Sequence, residues 1–105
     1  MTQDALFAPP AVARNAGRHE TELERTITAA RTADMVVDLD DALVSLARSL
    51  AWALDAAEAE GKPYAVAQVA GPYREVLEAL RLTPINRLAE ANDELANALA
   101  ELREA

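Results

Sequence analysis

The chain contains no cysteine, one histidine, three glycines and four aromatic side chains in 105 residues. Without cysteine there can be no disulfide staple and no thiolate metal site, which fits a reducing cytoplasm. With His19 as the single imidazole, a zinc site or a histidine-dependent nucleophile has no ligand set or base to draw on. No apolar run reaches the roughly 18 residues that a membrane span needs, and Met1-Thr2-Gln3-Asp4 lacks the basic start of a secretory signal. A phosphate-binding loop is missing, because Gly61-Lys62 is followed by Pro63 and no glycine stands five residues before Gly61. The EF-hand pattern is missing as well, since Asp38, Asp40 and Asp41 lack its glycine and closing glutamate. No Glu-x-x-His occurs for a di-metal bundle, and no strand-like alternation is long enough for a sheet. Nothing assembles a nucleophile, a base and an oxyanion site, so the expectation is a non-enzymatic protein without metal or cofactor.

Positive charge is scarce too. The formal net charge is −8. Residues 1–33 are neutral by count, with Arg14, Arg18, Arg25 and Arg31 against Asp4, Glu20, Glu22 and Glu24, so the whole excess lies in 34–105. Such a surface repels nucleic acid, which leaves the N-terminal third as the place for any DNA contact.

What the chain does have is alanine and leucine at helical spacing, and the fold class is all-α. The centre is 34–82, read as an antiparallel helical hairpin and oligomerisation core. In its first arm Leu39, Leu43, Leu46, Leu50, Ala53 and Ala57 follow a 4-3-4-3-4 spacing along one stripe, widened by Ala42, Ala47 and Leu54. Asp38, Asp40 and Asp41 stand at the start of that arm, where they can cap free N–H groups. Glu60-Gly61-Lys62-Pro63 is the turn, with Gly61 as the C-terminal cap and Pro63 opening the second arm. Gly71-Pro72 predicts a kink or a break near Ala70. Tyr64 and Tyr73 are expected to pack against the opposite arm, and Trp52 in the core or an interface. Asp55, Glu58 and Glu60 crowd the end of the first arm, as a solvated terminus or as partners for a basic group on a neighbour.

Around this core, 1–18 reads as a flexible arm, with Ala8-Pro9-Pro10 and Asn15-Ala16-Gly17 as breakers and Leu6 and Phe7 as isolated apolar residues. The N-terminal helix, 19–33, has a narrow stripe of Leu23, Ile27 and Ala30, so it should lie against something larger. Asp34-Met35-Val36-Val37 is read as a connector because paired β-branched residues are weak helix formers, although the absence of Gly and Pro leaves continuous helix open. Thr83-Pro84 starts a C-terminal helix over 83–105. There Ile85, Leu88, Asn92, Leu95, Leu99 and Leu102 alternate 3-4-3-4-3, a heptad seam with Asn92 at an a position or, in a plain amphipathic helix, at its wet edge. A core this poor in aromatics predicts a homo-oligomer. Its expected interface comprises Leu39, Leu43, Leu46, Leu50, Trp52, Tyr73, Leu77, Ile85, Leu88, Asn92, Leu95 and Leu99.

The segment from Leu39 to Asp55, LDDALVSLARSLAWALD, and the segment from Tyr73 to Pro84, YREVLEALRLTP, together resemble the small terminase subunits of tailed phages, especially the short versions from phages of actinobacteria. Those carry a helical hairpin followed by a Leu-Thr-Pro-type step, here Leu82-Thr83-Pro84. The resemblance covers about residues 20–90. It implies a DNA-packaging protein of the host cytoplasm that forms a ring through its hairpin. It also implies binding of double-stranded viral DNA near the packaging start, and modulation of the ATPase and nuclease of the large terminase subunit. The family often has an N-terminal helix-turn-helix, whereas here about one helix precedes the hairpin, without a basic recognition face. A ring would still gather Arg14, Arg18, His19, Arg25 and Arg31 of every copy into one rim, so that weak contacts add up. The competing reading is a helical oligomeric adaptor, antitoxin-like or scaffold-like, that acts only through protein contacts.

Overall fold

A computed structural model describes residues 15–104, so Arg14, Leu6, Phe7 and most of the expected arm lie outside the described residues. The described chain forms four α-helices and one short 3₁₀ turn, with no strand: α1 Arg18–Thr32, the 3₁₀ turn Asp38–Asp40, α2 Asp41–Ala59, α3 Pro63–Ala79 and α4 Pro84–Glu104. The all-α class holds. Residues 34–37 form a connector, and α2 and α3 are the two arms of the hairpin, packed along each other.

Helices α1, α2 and α3 all stop in the same way. Two residues past the last helical residue of each, the backbone turns left-handed: Asp34 (φ 58°), Gly61 (φ 66°) and Arg81 (φ 61°). The next N–H then reaches back to a carbonyl of the last turn, from Met35 to Ala30 (2.8 Å), from Lys62 to Ala57 (3.0 Å) and from Leu82 to Leu77 (2.9 Å). This is the Schellman arrangement, which satisfies carbonyls that the helix end leaves without partners. Only at Gly61 does the sequence advertise it.

Helix α2 is the centre of the body, with α1 and α3 both packed against it. The stripe read in α1 is buried as expected, with Leu23, Ile27 and Ala30 all inside. Full burial of a side chain such as Leu23 or Ile27 stabilises by about 1.5–3 kcal/mol. Val36 from the connector closes the end of this core.

In α2 the buried face is not the leucine stripe. Val44, Ala47, Ala51, Leu54 and Ala57 are buried, and Ala47 and Ala51 have no exposed surface at all. Leu43 and Leu50 are half-buried at the edge of the core, Leu46 is half-exposed, and Leu39 is 94% exposed. The physical reason is that α2 takes a neighbour on each side of one face. Small side chains on that face let both helices approach closely, and Leu43, Leu46 and Leu50 are displaced to its flank.

Two further expectations are revised. Of the kink or break expected near Ala70, the break does not occur, and α3 runs through Gly71-Pro72 as one helix. Proline withdraws one backbone donor, but Pro72 and Gln68, whose carbonyl loses its partner, are both exposed, so water can serve that carbonyl. Gly71 also has no Cβ to clash with the proline ring. Tyr64 does not pack on the opposite arm. It is 76% exposed, and its hydroxyl accepts a hydrogen bond from Gln68 Nε2 at 3.3 Å. Tyr73 does pack against the core.

Helix α4 leaves the body at Leu82-Thr83-Pro84 and packs along none of the other helices. The joint is pinned by polar contacts. Arg81 Nη1 donates to Glu90 Oε1 at 3.0 Å, and Arg87 Nη1 donates to the Leu82 carbonyl at 3.1 Å. The Thr83 hydroxyl meets the side-chain oxygen of Asn86 at the first turn.

Candidate functional site

The most elaborate polar cluster joins the start of α1 to the end of α2. Helix α1 begins directly after Gly17, which offers no side-chain cap. The cap comes instead from the neighbouring helix. Asp55, buried at 7% exposure, accepts the backbone N–H of His19 through Oδ1 and that of Glu20 through Oδ2, both at 2.9 Å. A buried carboxylate at a helix N-terminus satisfies free donors and faces the positive end of the dipole. One turn along α2, Glu58 takes Arg18 in a two-point contact, Nε to Oε1 at 3.1 Å and Nη2 to Oε2 at 2.6 Å. His19 Nε2 lies 3.2 Å from the same Glu58 Oε2. The hydrogen bonds from Arg18 and His19 hold the Glu58 carboxyl at a pKa of about 2, well below its ordinary range. The His19 ring meets Tyr73 of α3 edge-on, with centroids 6.4 Å apart, so the cluster touches all three helices of the body. Burial, and then the negative charge of Asp55, raise the Tyr73 hydroxyl pKa.

His19, Asp55 and Glu58 bring ligand atoms within 4.8 Å of one another, a spacing that could in principle hold a metal ion. The protein's own donors occupy them: two backbone amides on Asp55, and a guanidinium with an imidazole on Glu58. The cluster therefore works as a docking device for α1. Sequence reasoning missed Asp55 and Gly17 in this role. The available signal was an acid four residues after Ala51 and next to Leu54, on the apolar face, with a glycine immediately ahead of another helix.

The other basic residues expected to touch DNA are spread along α1, whose 15 residues span about 22 Å. Arg25 Nη1 donates to Glu22 Oε1 at 3.1 Å. Arg31 at the far end lies 2.9 Å from Asp41 and 3.8 Å from Asp38. Asp38 and Asp41 thus pair with α1, and of the three aspartates Asp40 does the capping, accepting the Val37 N–H at 2.9 Å. Arg48 of α2 grips Glu24 with two hydrogen bonds of 2.8 and 2.9 Å, which raise its pKa. The structure therefore brings Arg18 and His19 together and leaves Arg25 and Arg31 apart, each with an acidic partner.

The apolar residues expected at an interface fall into two groups. On the hairpin, Leu39, Leu46 and Trp52 present substantial surface, while Leu43, Leu50, Tyr73 and Leu77 are part-covered by the core. On α4, Ile85, Leu88, Leu95, Leu99 and Leu102 are 47–80% exposed, and Asn92 is exposed among them. Every described residue from 91 to 104 is exposed.

Comparison with known proteins gives one family. A family model described as terminase small subunit matches residues 22–105, which takes in α4 and all but the first turn of α1. The match is to the family as a whole, and no particular group of phages follows from it. No curated protein matches the chain. No solved structure matches it either.

Proposed function

Because the chain belongs to the terminase small subunit family, and with it to phage DNA packaging, we propose that it works as a non-catalytic ring that binds the viral genome and modulates the large terminase subunit in the host cytoplasm. The observation that carries the ring is the displaced leucine stripe. Leu39 in the 3₁₀ turn and Leu46 in α2 are exposed, at helical spacing with the part-covered Leu43 and Leu50, beside a core whose α2 face is built largely of alanine. A second copy covering that flank adds the apolar burial that a body this small has little of. Among the described residues, no helix is long and apolar enough to cross a membrane.

DNA contact is assigned to the α1 edge, with Arg14, Arg18, His19, Arg25 and Arg31 of successive copies forming one rim. Arg25 is the best placed of those described, since its ion pair is an exposed i,i+3 contact worth little in water and a phosphate can replace Glu22. Arg18, bound at two points by Glu58, is the least available. The engagement of Arg18, Arg25 and Arg31 by acids also favours a second reading, an adaptor that acts through protein contacts alone.

Two measurements decide. Native mass in solution should give a closed assembly of about eight or more copies, whereas a dimer or tetramer favours the adaptor. Retention of double-stranded DNA should fall steeply with salt and be lost when Arg14, Arg18, Arg25 and Arg31 are changed together to alanine. Retention that survives those changes removes the arginine rim.

A further inference from the structure

We propose that α4 associates with the α4 helices of other copies, all pointing the same way, in a closed bundle where each helix touches two neighbours. The proposal rests on the homo-oligomeric reading above and names the contact made by the tail.

The heptad register of α4 places Ile85, Asn92 and Leu99 at a, and Leu88, Leu95 and Leu102 at d. What decides the partner is the flanks. In a two-helix seam the e and g positions usually carry charges that select the partner. Here Ala91 and Ala98 occupy g and Ala96 occupies e, and Arg103 is the one charge at any a, d, e or g position of 85–104. All the acids of the helix, Glu90, Asp93, Glu94, Glu101 and Glu104, fall on the remaining b, c and f positions. At 3.6 residues per turn, the face from g through d and a to e, uncharged from Ile85 to Leu102, spans an arc of about 160°.

A single partner helix covers a narrow a/d seam and would leave both alanine flanks in water. A helix in a closed ring instead has neighbours in two directions. By polygon geometry those directions are about 120° apart for six copies and about 140° for nine. The arc of α4 matches that demand, and alanine at the flanks keeps the interhelical distance short. Cyclic symmetry makes the copies parallel, so the acidic b, c and f faces all turn outward, where water and salt screen their repulsion. Parallel alignment also brings the Asn92 side chains of all copies to one level, where they can hydrogen-bond to one another and fix the register. The pinned joint at Arg81, Leu82 and Arg87 gives every tail the same exit direction.

The test uses the full chain and takes advantage of its lack of cysteine. In a parallel bundle, g of one helix faces e of the next heptad on its neighbour, so Ala91→Cys and Ala96→Cys are introduced together and the protein is oxidised at low concentration. The expected result is a ladder of covalent species extending past the dimer on a non-reducing gel, at unchanged native mass. Adding Leu95→Glu should abolish the ladder, and the outward-facing pair Asp93→Cys with Asn97→Cys should give none. A multimeric native mass without a ladder, or cross-linking that stops at the dimer, overturns the bundle while leaving the hairpin ring standing; the seam then belongs to a helix of another protein. A monomeric mass at every concentration overturns the ring reading and the bundle together.

Discussion

A Cβ placed on Gly17 would lie 2.3 Å from Cγ and 2.6 Å from Oδ2 of Asp55. The two residues are 38 positions apart in sequence, yet the absence of a side chain on one is what lets the carboxylate of the other reach the first amides of α1. Gly17 is needed here for space and not for an unusual backbone angle, since its φ is −84°. Gly17→Ala should therefore destabilise the protein by about 1–3 kcal/mol, as forced overpacking does, and Asp55→Ala by about 1–2 kcal/mol or more through loss of a buried cap. Urea unfolding of the two single variants and the double variant checks both values. The double variant should cost less than the sum, because the clash disappears with the carboxylate.

Acid should reveal Glu58. Its pKa is lowered in the folded chain to about 2 by the hydrogen bonds from Arg18 and His19. A depressed carboxyl pKa contributes stability that is present above the unfolded value, near 4.5, and lost as pH falls toward the folded one. The melting temperature of the wild type should drop between about pH 4.5 and about pH 2, and Glu58→Gln should show a shallower drop across that window.

The helix ends make opposite predictions for similar positions. Asp34 and Gly61 both sit in the left-handed region after a helix, where a side chain costs about 1 kcal/mol. Asp34→Gly should stabilise by about 0.5–1 kcal/mol, and Gly61→Ala should destabilise by about 1 kcal/mol. Thermal melts at equal protein concentration would read both. Arg81→Gly should gain less than Asp34→Gly, because it also gives up the 3.0 Å contact with Glu90.

Leu46→Glu separates folding from assembly. Leu46 is 47% exposed in one copy, so the helical content of the subunit should be nearly unchanged, while a charge on the proposed ring contact should shift native mass to smaller species by several kcal/mol of lost association. Ultracentrifugation together with circular dichroism would record the two effects side by side.

The sequence makes some of this plain and hides the rest for definite reasons. The α1 stripe of Leu23, Ile27 and Ala30 is legible because that helix has one neighbour and one face to bury. The α2–α3 turn is legible because Gly61 and Pro63 each have a single structural use there. The inner face of α2 is not, because leucine draws the eye and the face chosen between two neighbours is built from Ala47 and Ala51. For Asp55 and Glu58 the sequence leaves a solvated end and a basic neighbour both open, because their partners on Arg18, His19 and Glu20 lie 35 residues or more away and only the packing of α1 brings them in. Continuity through Pro72 is hidden for a related reason: the penalty for proline depends on whether the orphaned carbonyl is wet, and spacing does not say.

The bare contact at Ala47 and Ala51 has a mechanical consequence. Close-packed interiors compress little and pass strain onward, and here α2 is held between two helices with no side-chain length left to flex. A pull or twist applied to the tail would reach the rest of the molecule as rigid displacement.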